Sequence, residues 1–291
     1  MTATASPLRN AAGVTSGGAP LRIGAVALIA RDLDGMSRFY REVMGLALVD
    51  REPGRHRLGV GGTVLLDIAH DPGAQPLDPR SAGLFHTAFL VPSRTDLAQW
   101  LTWVADRGVR LQGASDHRVS EAIYLADPEG NGIEIYRDRP SEEWGWRDGQ
   151  VQMATLRLDL RDLAAAAPAR AWAGLAEGSI IGHVHLQVGD LDAAERFYAG
   201  RLGLDVVCRY PGATFLSSGG YHHHIGTNIW NSAGAPARPE RAAGLGWVEL
   251  VPADRAVWAD LAQHLGAEAA NPDGGLALRD PWGTTIRIRE P

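Results

Sequence analysis

Cysteine is nearly absent from this chain: of 291 residues only Cys208 carries a thiol, which excludes an intramolecular disulfide and a thiolate cluster for a metal. A lone thiol fits a reducing compartment, and the cytoplasm is the expected location. Apolar runs of the roughly 18 residues needed to span a bilayer are also missing, so no membrane partner is expected. The first twenty residues, rich in Ala, Gly, Ser, Thr and Pro, lack the apolar stretch of a signal peptide and read as a disordered tail. There is no long basic run either, and 28 Lys+Arg against 34 Asp+Glu leave a net charge of −6, which argues against a nucleic-acid partner. What is present is enough apolar sequence, 45% of the chain, to bury a substantial core, and a small-molecule partner is favoured.

The chain repeats itself. Ile23 to Leu28, then Arg38-Phe39-Tyr40 and Met44-Gly45-Leu46, recurs at the same spacing as Ile181 to Leu186, Arg196-Phe197-Tyr198 and Leu202-Gly203-Leu204. Each copy opens with an alternating strand, continues from an Asp-Leu-Asp start into a helix ending at Phe-Tyr, and turns at glycine into further strands. A second kind of unit opens at His86 to Val91, has a helix near 94–107, and closes with Asp127-Pro128-Glu129-Gly130 before a final strand. Its partner opens at Trp247, has a helix near 254–265, and closes after Asp280-Pro281-Trp282-Gly283. The expected fold is α+β: four βαβββ modules, near 21–70, 83–138, 179–231 and 244–290, with a connecting segment at 139–178. The N-terminal half, 21–138, and the C-terminal half, 179–291, thus hold two modules each.

Alternation along a strand puts His183, His185 and Gln187 on one face. Glu134 stands opposite Ile133 and Ile135, and His86 opens its own module. Alone, each is an ordinary half-buried or solvated residue. Together, two imidazoles and a carboxylate form a facial set that leaves coordination positions open and suits non-haem Fe(II), with Mn(II) second. His86, Glu134 and His183 make up that set, His185 being the alternative to His183. The first and fourth modules have Ala25, Ala27, Trp247 and Arg287 at the corresponding places, and an arginine cannot ligate a cation. Pairing in chain order would split the set, so the second module is expected to pair with the third and the first with the fourth.

These residues resemble the type I extradiol dioxygenases of the vicinal-oxygen-chelate superfamily, most closely the catechol 2,3-dioxygenase group, over nearly everything after residue 20. The resemblance implies the glyoxalase/bleomycin resistance/dioxygenase fold, with modules in paired half-barrels, and a metal held by Gly182-His183, by His86 within Phe85-His86-Thr87-Ala88-Phe89, and by Glu134, four residues after Gly130. It implies an acid–base role for His223 in the run Tyr221-His222-His223-His224, with Tyr124 and His117 orienting substrate oxygens, although His117 is two residues off the family's offset. Three adjacent histidines cannot share one strand face, so His223 is expected to face the cavity. His185, His222 and His224 are candidate substrate-binding or supporting residues. One metal-bearing module lies in each half here, whereas the commonest relatives have both in the C-terminal half.

The expected activity is opening of a catechol ring with insertion of both atoms of O2; the sequence does not fix the oligomeric state, a homo-oligomer being one form it allows. The rival expectations are a glyoxalase-type isomerase or epoxide-opening resistance enzyme using Zn, Ni or Mn, or a non-catalytic small-molecule-binding protein on the same scaffold.

Overall fold

The computed structural model describes residues 13–271 and 274–291. The first module runs β1 (Leu21–Ala30), α1 (Leu33–Glu42), β2 (Ala47–Glu52), β3 (Arg55–Val60) and β4 (Thr63–His70). The second runs β5 (Gly83–Leu90), α2 (Arg94–Asp106), β6 (Gly113–Asp116), β7 (Ser120–Ala126) and β8 (Gly132–Asp138). The connecting segment holds the short strands β9 (Trp146–Arg147), β10 (Gln150–Val151) and β11 (Leu156–Arg157) and the helix α3 (Leu160–Ala165). In the third module, β12 (Ile180–Gln187) leads to α4 (Leu191–Glu195), which widens into a π turn at Arg196–Arg201, and then to β13 (Asp205–Tyr210), β14 (Ala213–Ser217) and β15 (Ile225–Asn228). The fourth comprises β16 (Gly244–Pro252), α5 (Arg255–Leu265), β17 (Leu276–Arg279) and β18 (Thr285–Ile288).

The repeated motifs are structural. In each Asp-Leu-Asp start the first aspartate caps a helix: Asp32 accepts from the Gly35 amide and Asp190 from the Ala193 amide. In each Asp-Pro-x-Gly turn the aspartate accepts two backbone amides of its own loop, and Gly130 and Gly283 supply the positive φ values of 91° and 89°. The tyrosine of each Arg-Phe-Tyr triplet then bonds the aspartate of the following module's turn, Tyr40 to Asp127 at 3.0 Å and Tyr198 to Asp280 at 2.9 Å. These buried bonds tie the two sheets together twice.

One sheet has the order β17-β18-β16-β1-β4-β3-β2 and the other β11-β6-β7-β8-β5-β12-β15-β14-β13. The fourth module therefore joins the first through antiparallel β16 and β1, and the second joins the third through antiparallel β5 and β12. Val184 and Leu186 of β12 and Phe89, Ile133 and Ile135 of β5 and β8 enter the main core, which leaves the opposite face of the larger sheet for polar side chains. No helix among the described residues is long and apolar enough to cross a membrane.

Two expectations need correction. Of the expected tail, residues 1–12 lie outside the described residues, but 13–20 include the buried Ser16 and Ala19, and the Ser16 hydroxyl bonds the Gly182 carbonyl at 3.0 Å. The fourth module shows only three strands among the described residues, plus an isolated bridge between Ala270 and Leu276. Between its helix and its next strand the described residues form a 3-10 turn at Ala267–Ala269 in place of a further strand.

Candidate metal centre

Register brings the singled-out residues together. Across the larger sheet Tyr124, Glu134, Ala88 and His183 are successive partners on β7, β8, β5 and β12. In the neighbouring row His86 pairs with His185, His185 with Gly226 and Gly226 with Phe215. Directly paired residues project to the same side, so two rows converge on one concavity. Ala88, fully buried between Glu134 and His183, contributes only a methyl group to the floor and leaves open space above it.

Within that space the ligand atoms of His86, Glu134 and His183 all lie within 4.8 Å of one another, the one such group among the described residues. Glu134 Oε2 is 3.0 Å from His86 Nε2 and 3.3 Å from His183 Nε2. Donors bound at roughly 2.0–2.2 Å and at right angles stand about 3 Å apart, so these spacings suit three facial ligands of one ion. His86 Nε2, although buried beside the carboxylate, has no hydrogen bond to account for it. Burial pushes the Glu134 carboxyl up, but His183 and His86 outweigh it and hold it well below the usual range. Burial pushes the His183 imidazole down to about 4, against the pull of Glu134. A carboxylate beside neutral imidazole is the protonation state that a metal ligand set requires. In the other module pair the Arg287 guanidinium sits 4.7 Å over the Trp247 ring, and a cation fills the corresponding place.

Two interruptions of the ladder shape the centre. Between β5 and β12 the register passes from Ile181–Phe89 to His183–Ala88, leaving Gly182 unpaired, and a Cβ there would come within 1.9 Å of the Tyr136 hydroxyl. It also passes from His185–His86 to Leu186–Leu84, leaving Phe85 unpaired. A bulge re-aims a side chain, and Phe85 joins His86 in lining the cavity instead of alternating away from it. Strict alternation does not foresee this residue.

The cavity beside the three ligand atoms, lined by His86 and Glu134 but not by His183, has a volume of about 280 Å³. His185 lines it, with its ring 5.0 Å from that of His86 and its Nε2 unpartnered. Tyr124 and His117 line it and bond each other, Tyr124 Oη to His117 Nε2 at 2.6 Å, while His117 Nδ1 lies 2.7 Å from the Ala154 carbonyl. A neutral His117 that donates its Nδ1 proton to the carbonyl accepts at Nε2 from Tyr124, whose phenol also lies within hydrogen-bonding reach of Glu134. Burial and the neighbouring Glu134 charge hold the Tyr124 phenol well above its usual range, hence protonated. Met153, Ala154 and Thr155 of the connecting segment form part of the wall, a contribution that no motif in that segment announces.

Of the histidine run only His223 lines the cavity, its ring 4.0 Å from that of His183. His222 and His224, expected as substrate-binding candidates, do not. Residues 221–224 lie outside any regular strand, and each side chain has a partner elsewhere. His224 Nδ1 accepts from the Ser218 amide at 3.2 Å. His222 Nε2 is 2.8 Å from Asp138 Oδ1, and His222 Nδ1 is 2.8 Å from His223 Nδ1. With one proton on each ring, Asp138 takes the Nε2 proton of His222, whose Nδ1 then accepts from His223. His223 is thereby left with an unprotonated Nε2, the state of a base.

Burial drives four of these histidines down: His183 to about 4, His224 to about 3, and His185 and His223 well below the usual value. All four bind a proton more readily once unfolded, so the metal-free protein should lose stability as pH falls below about 6.5, with the His183 contribution complete near 4 and that of His224 near 3. Urea titrations at pH 7, 6 and 5 measure the slope. His224→Asn keeps an acceptor for the Ser218 amide but cannot titrate, and its slope should correspond to about one proton fewer taken up on unfolding. An unchanged slope would show that His224 is not held neutral.

The model of the Glyoxalase/Bleomycin resistance protein/Dioxygenase superfamily matches residues 22–135 and 180–288. A catechol-2,3-dioxygenase of Bacillus subtilis (strain 168) is 38% identical over 267 residues, 89% of this chain and 93% of the relative. A biphenyl-2,3-diol 1,2-dioxygenase of Rhodococcus globerulus is 26% identical over 141 residues, 44% of this chain and 71% of the relative. The crystal structure of glyoxalase I from Zea mays superposes with a TM-score of 0.55 at 16% identity, covering 92% of each chain, a likeness of fold alone.

Proposed function

The chain belongs to the glyoxalase/bleomycin resistance protein/dioxygenase superfamily, and from that membership we propose that it is an extradiol dioxygenase, opening a catechol ring beside its hydroxyls at a ferrous ion held by His86, Glu134 and His183. The observation that carries this is the buried set of two imidazoles and one carboxylate at spacings of 3.0 and 3.3 Å, joined across the β5–β12 seam. His183 is preferred to His185 as ligand because its Nε2, and not that of His185, belongs to the converging group.

His86, Glu134 and His183 would hold the ferrous ion, which would supply a Lewis-acidic, redox-active centre for the diol and O2. The chain's own residues do the rest. Glu134 supplies negative charge to balance the cation. His223 Nε2, left as an acceptor by its bond to His222, takes a proton from a substrate hydroxyl and returns it as the ring opens. Tyr124, donating to His117, presents its oxygen as an acceptor that fixes the second hydroxyl. Both oxygen atoms remain in the product, so no external reductant is needed. A reducing cytoplasm suits both the lone Cys208 and a ferrous ion.

The test is anaerobic reconstitution with Fe(II), addition of catechol and then O2, with oxygen uptake and the yellow ring-opened product followed together. Zn, Ni and Mn serve as controls. Turnover that needs Fe(II) supports the proposal. No oxygen uptake with any catechol, or turnover with Zn or Ni without O2, would replace it by an isomerase or binding reading.

A further inference from the structure

No arginine among the described residues lines the cavity beside the three ligand atoms. Apart from the hydroxyls of Ser115, Ser120 and Thr155, the rest of the wall is built from Phe85, Val119, Met153, Tyr210, Phe215 and Trp230. Two of them, Tyr210 at 40% exposure and Trp230 at 47%, are among the few large apolar side chains of this protein left open to solvent. Such exposure is informative where it adjoins a cavity rather than lying scattered over the surface.

Trp230 is also firmly held. Its Nε1 donates to the Pro211 carbonyl at 3.0 Å, and its ring meets those of Phe85 and His185 edge to face, each at 5.5 Å. His185 in turn lies 5.0 Å from His86. A continuous series of rings therefore leads from the candidate metal centre to the mouth. The nearby cations are engaged elsewhere or outside: Arg209, beside Tyr210, is paired with Glu195 at 2.6 Å, and Arg118, between His117 and Val119, is exposed and does not line the cavity.

We infer that the substrate is a catechol bearing one uncharged apolar substituent, an aryl or alkyl group, which lies against Phe85, Phe215 and Trp230, and that catechols carrying a carboxylate are excluded. This rests on the dioxygenase reading. A carboxylate in this wall would lose its hydration without gaining a cation. A volume of about 280 Å³, at the small end of the roughly 300–1,000 Å³ of ligand pockets, limits the substituent to a single ring or a short alkyl group.

The experiment compares kcat/KM of the Fe(II)-loaded chain for catechol, 4-tert-butylcatechol, 3-phenylcatechol and 3,4-dihydroxybenzoate. Alongside it, calorimetric titration of the Zn-loaded protein with the same four compounds reads binding without turnover. The apolar catechols should exceed the carboxylated one by at least about 100-fold in both measurements. Trp230→Ala should lower the preference for 3-phenylcatechol over plain catechol by about 10-fold, and Trp230→Arg should narrow the gap to 3,4-dihydroxybenzoate. Equal use or equal binding of 3,4-dihydroxybenzoate overturns the inference, as does a Trp230→Ala variant with unaltered preference. If no catechol is cleaved, the dioxygenase reading falls, and the titrations alone decide whether the wall selects apolar ligands.

Discussion

Glu134→Gln should strip the protein of its metal and its turnover together. Glutamine matches glutamate in shape, so the cross-strand pairs of Glu134 with Tyr124 and Ala88 survive, but the anion is gone. The Glu134 carboxyl is held below its usual range by the two imidazoles against the effect of burial, so the site is arranged around that negative charge. Loss of a residue that merely supports a ligand lowers metal affinity by about 10–100-fold, and loss of the anionic ligand itself should exceed that. Two readouts apply. Metal content after gel filtration should fall from near one ion per chain to a trace, and the stabilisation by added metal, about 4 kcal/mol at a thousand-fold excess over Kd, should vanish. A variant that retains iron and its thermal shift would remove Glu134 from the ligand set. Ala88→Leu should have the same consequence by a different route, because leucine would occupy the space over the floor between Glu134 and His183.

Replacement of His223 should separate chemistry from metal binding. General acid–base catalysis contributes typically 10²–10⁴-fold, and His223→Ala should lower kcat by that range while iron content stays near that of the parent. The expectation depends on position: His223 lines the cavity and packs 4.0 Å from His183, but its polar contact is with His222, not with Glu134. His222→Phe should give a smaller fall in kcat and an altered pH profile, since it removes the link that carries the influence of Asp138 to His223. His224→Asn should change turnover by less than about two-fold, because the ring faces Ser218 rather than the cavity. Iron lost in His223→Ala, or equal losses on replacing all three histidines, would show that the run acts as one structural unit and that the assignment of a base to His223 is mistaken.

Much of the fold was legible because its signals are local. The Asp-Leu-Asp starts cap helices and the Asp-Pro-x-Gly segments make turns through bonds spanning a few residues, and any chain with those residues at that spacing finds them. What the Tyr of each Arg-Phe-Tyr triplet does was not legible, since Asp127 and Asp280 lie far along the chain from Tyr40 and Tyr198. The pairing of the second module with the third followed from chemistry: a carboxylate and two imidazoles separated in sequence make sense only if they meet.

The repeat, the strand faces that carry His183 and His185, and the side chains able to hold a cation can be read from the residues alone, because periodicity and functional groups belong to them. Long-range packing sets the rest: Phe85 turns into the cavity, Met153 to Thr155 wall it, His222 and His224 turn away, and residues 13–20 pack against the body of the protein. Each of these depends on a slipped ladder or on a contact between segments remote in the chain. Such contacts are selected by the packing of whole sheets, and no short stretch of residues encodes them.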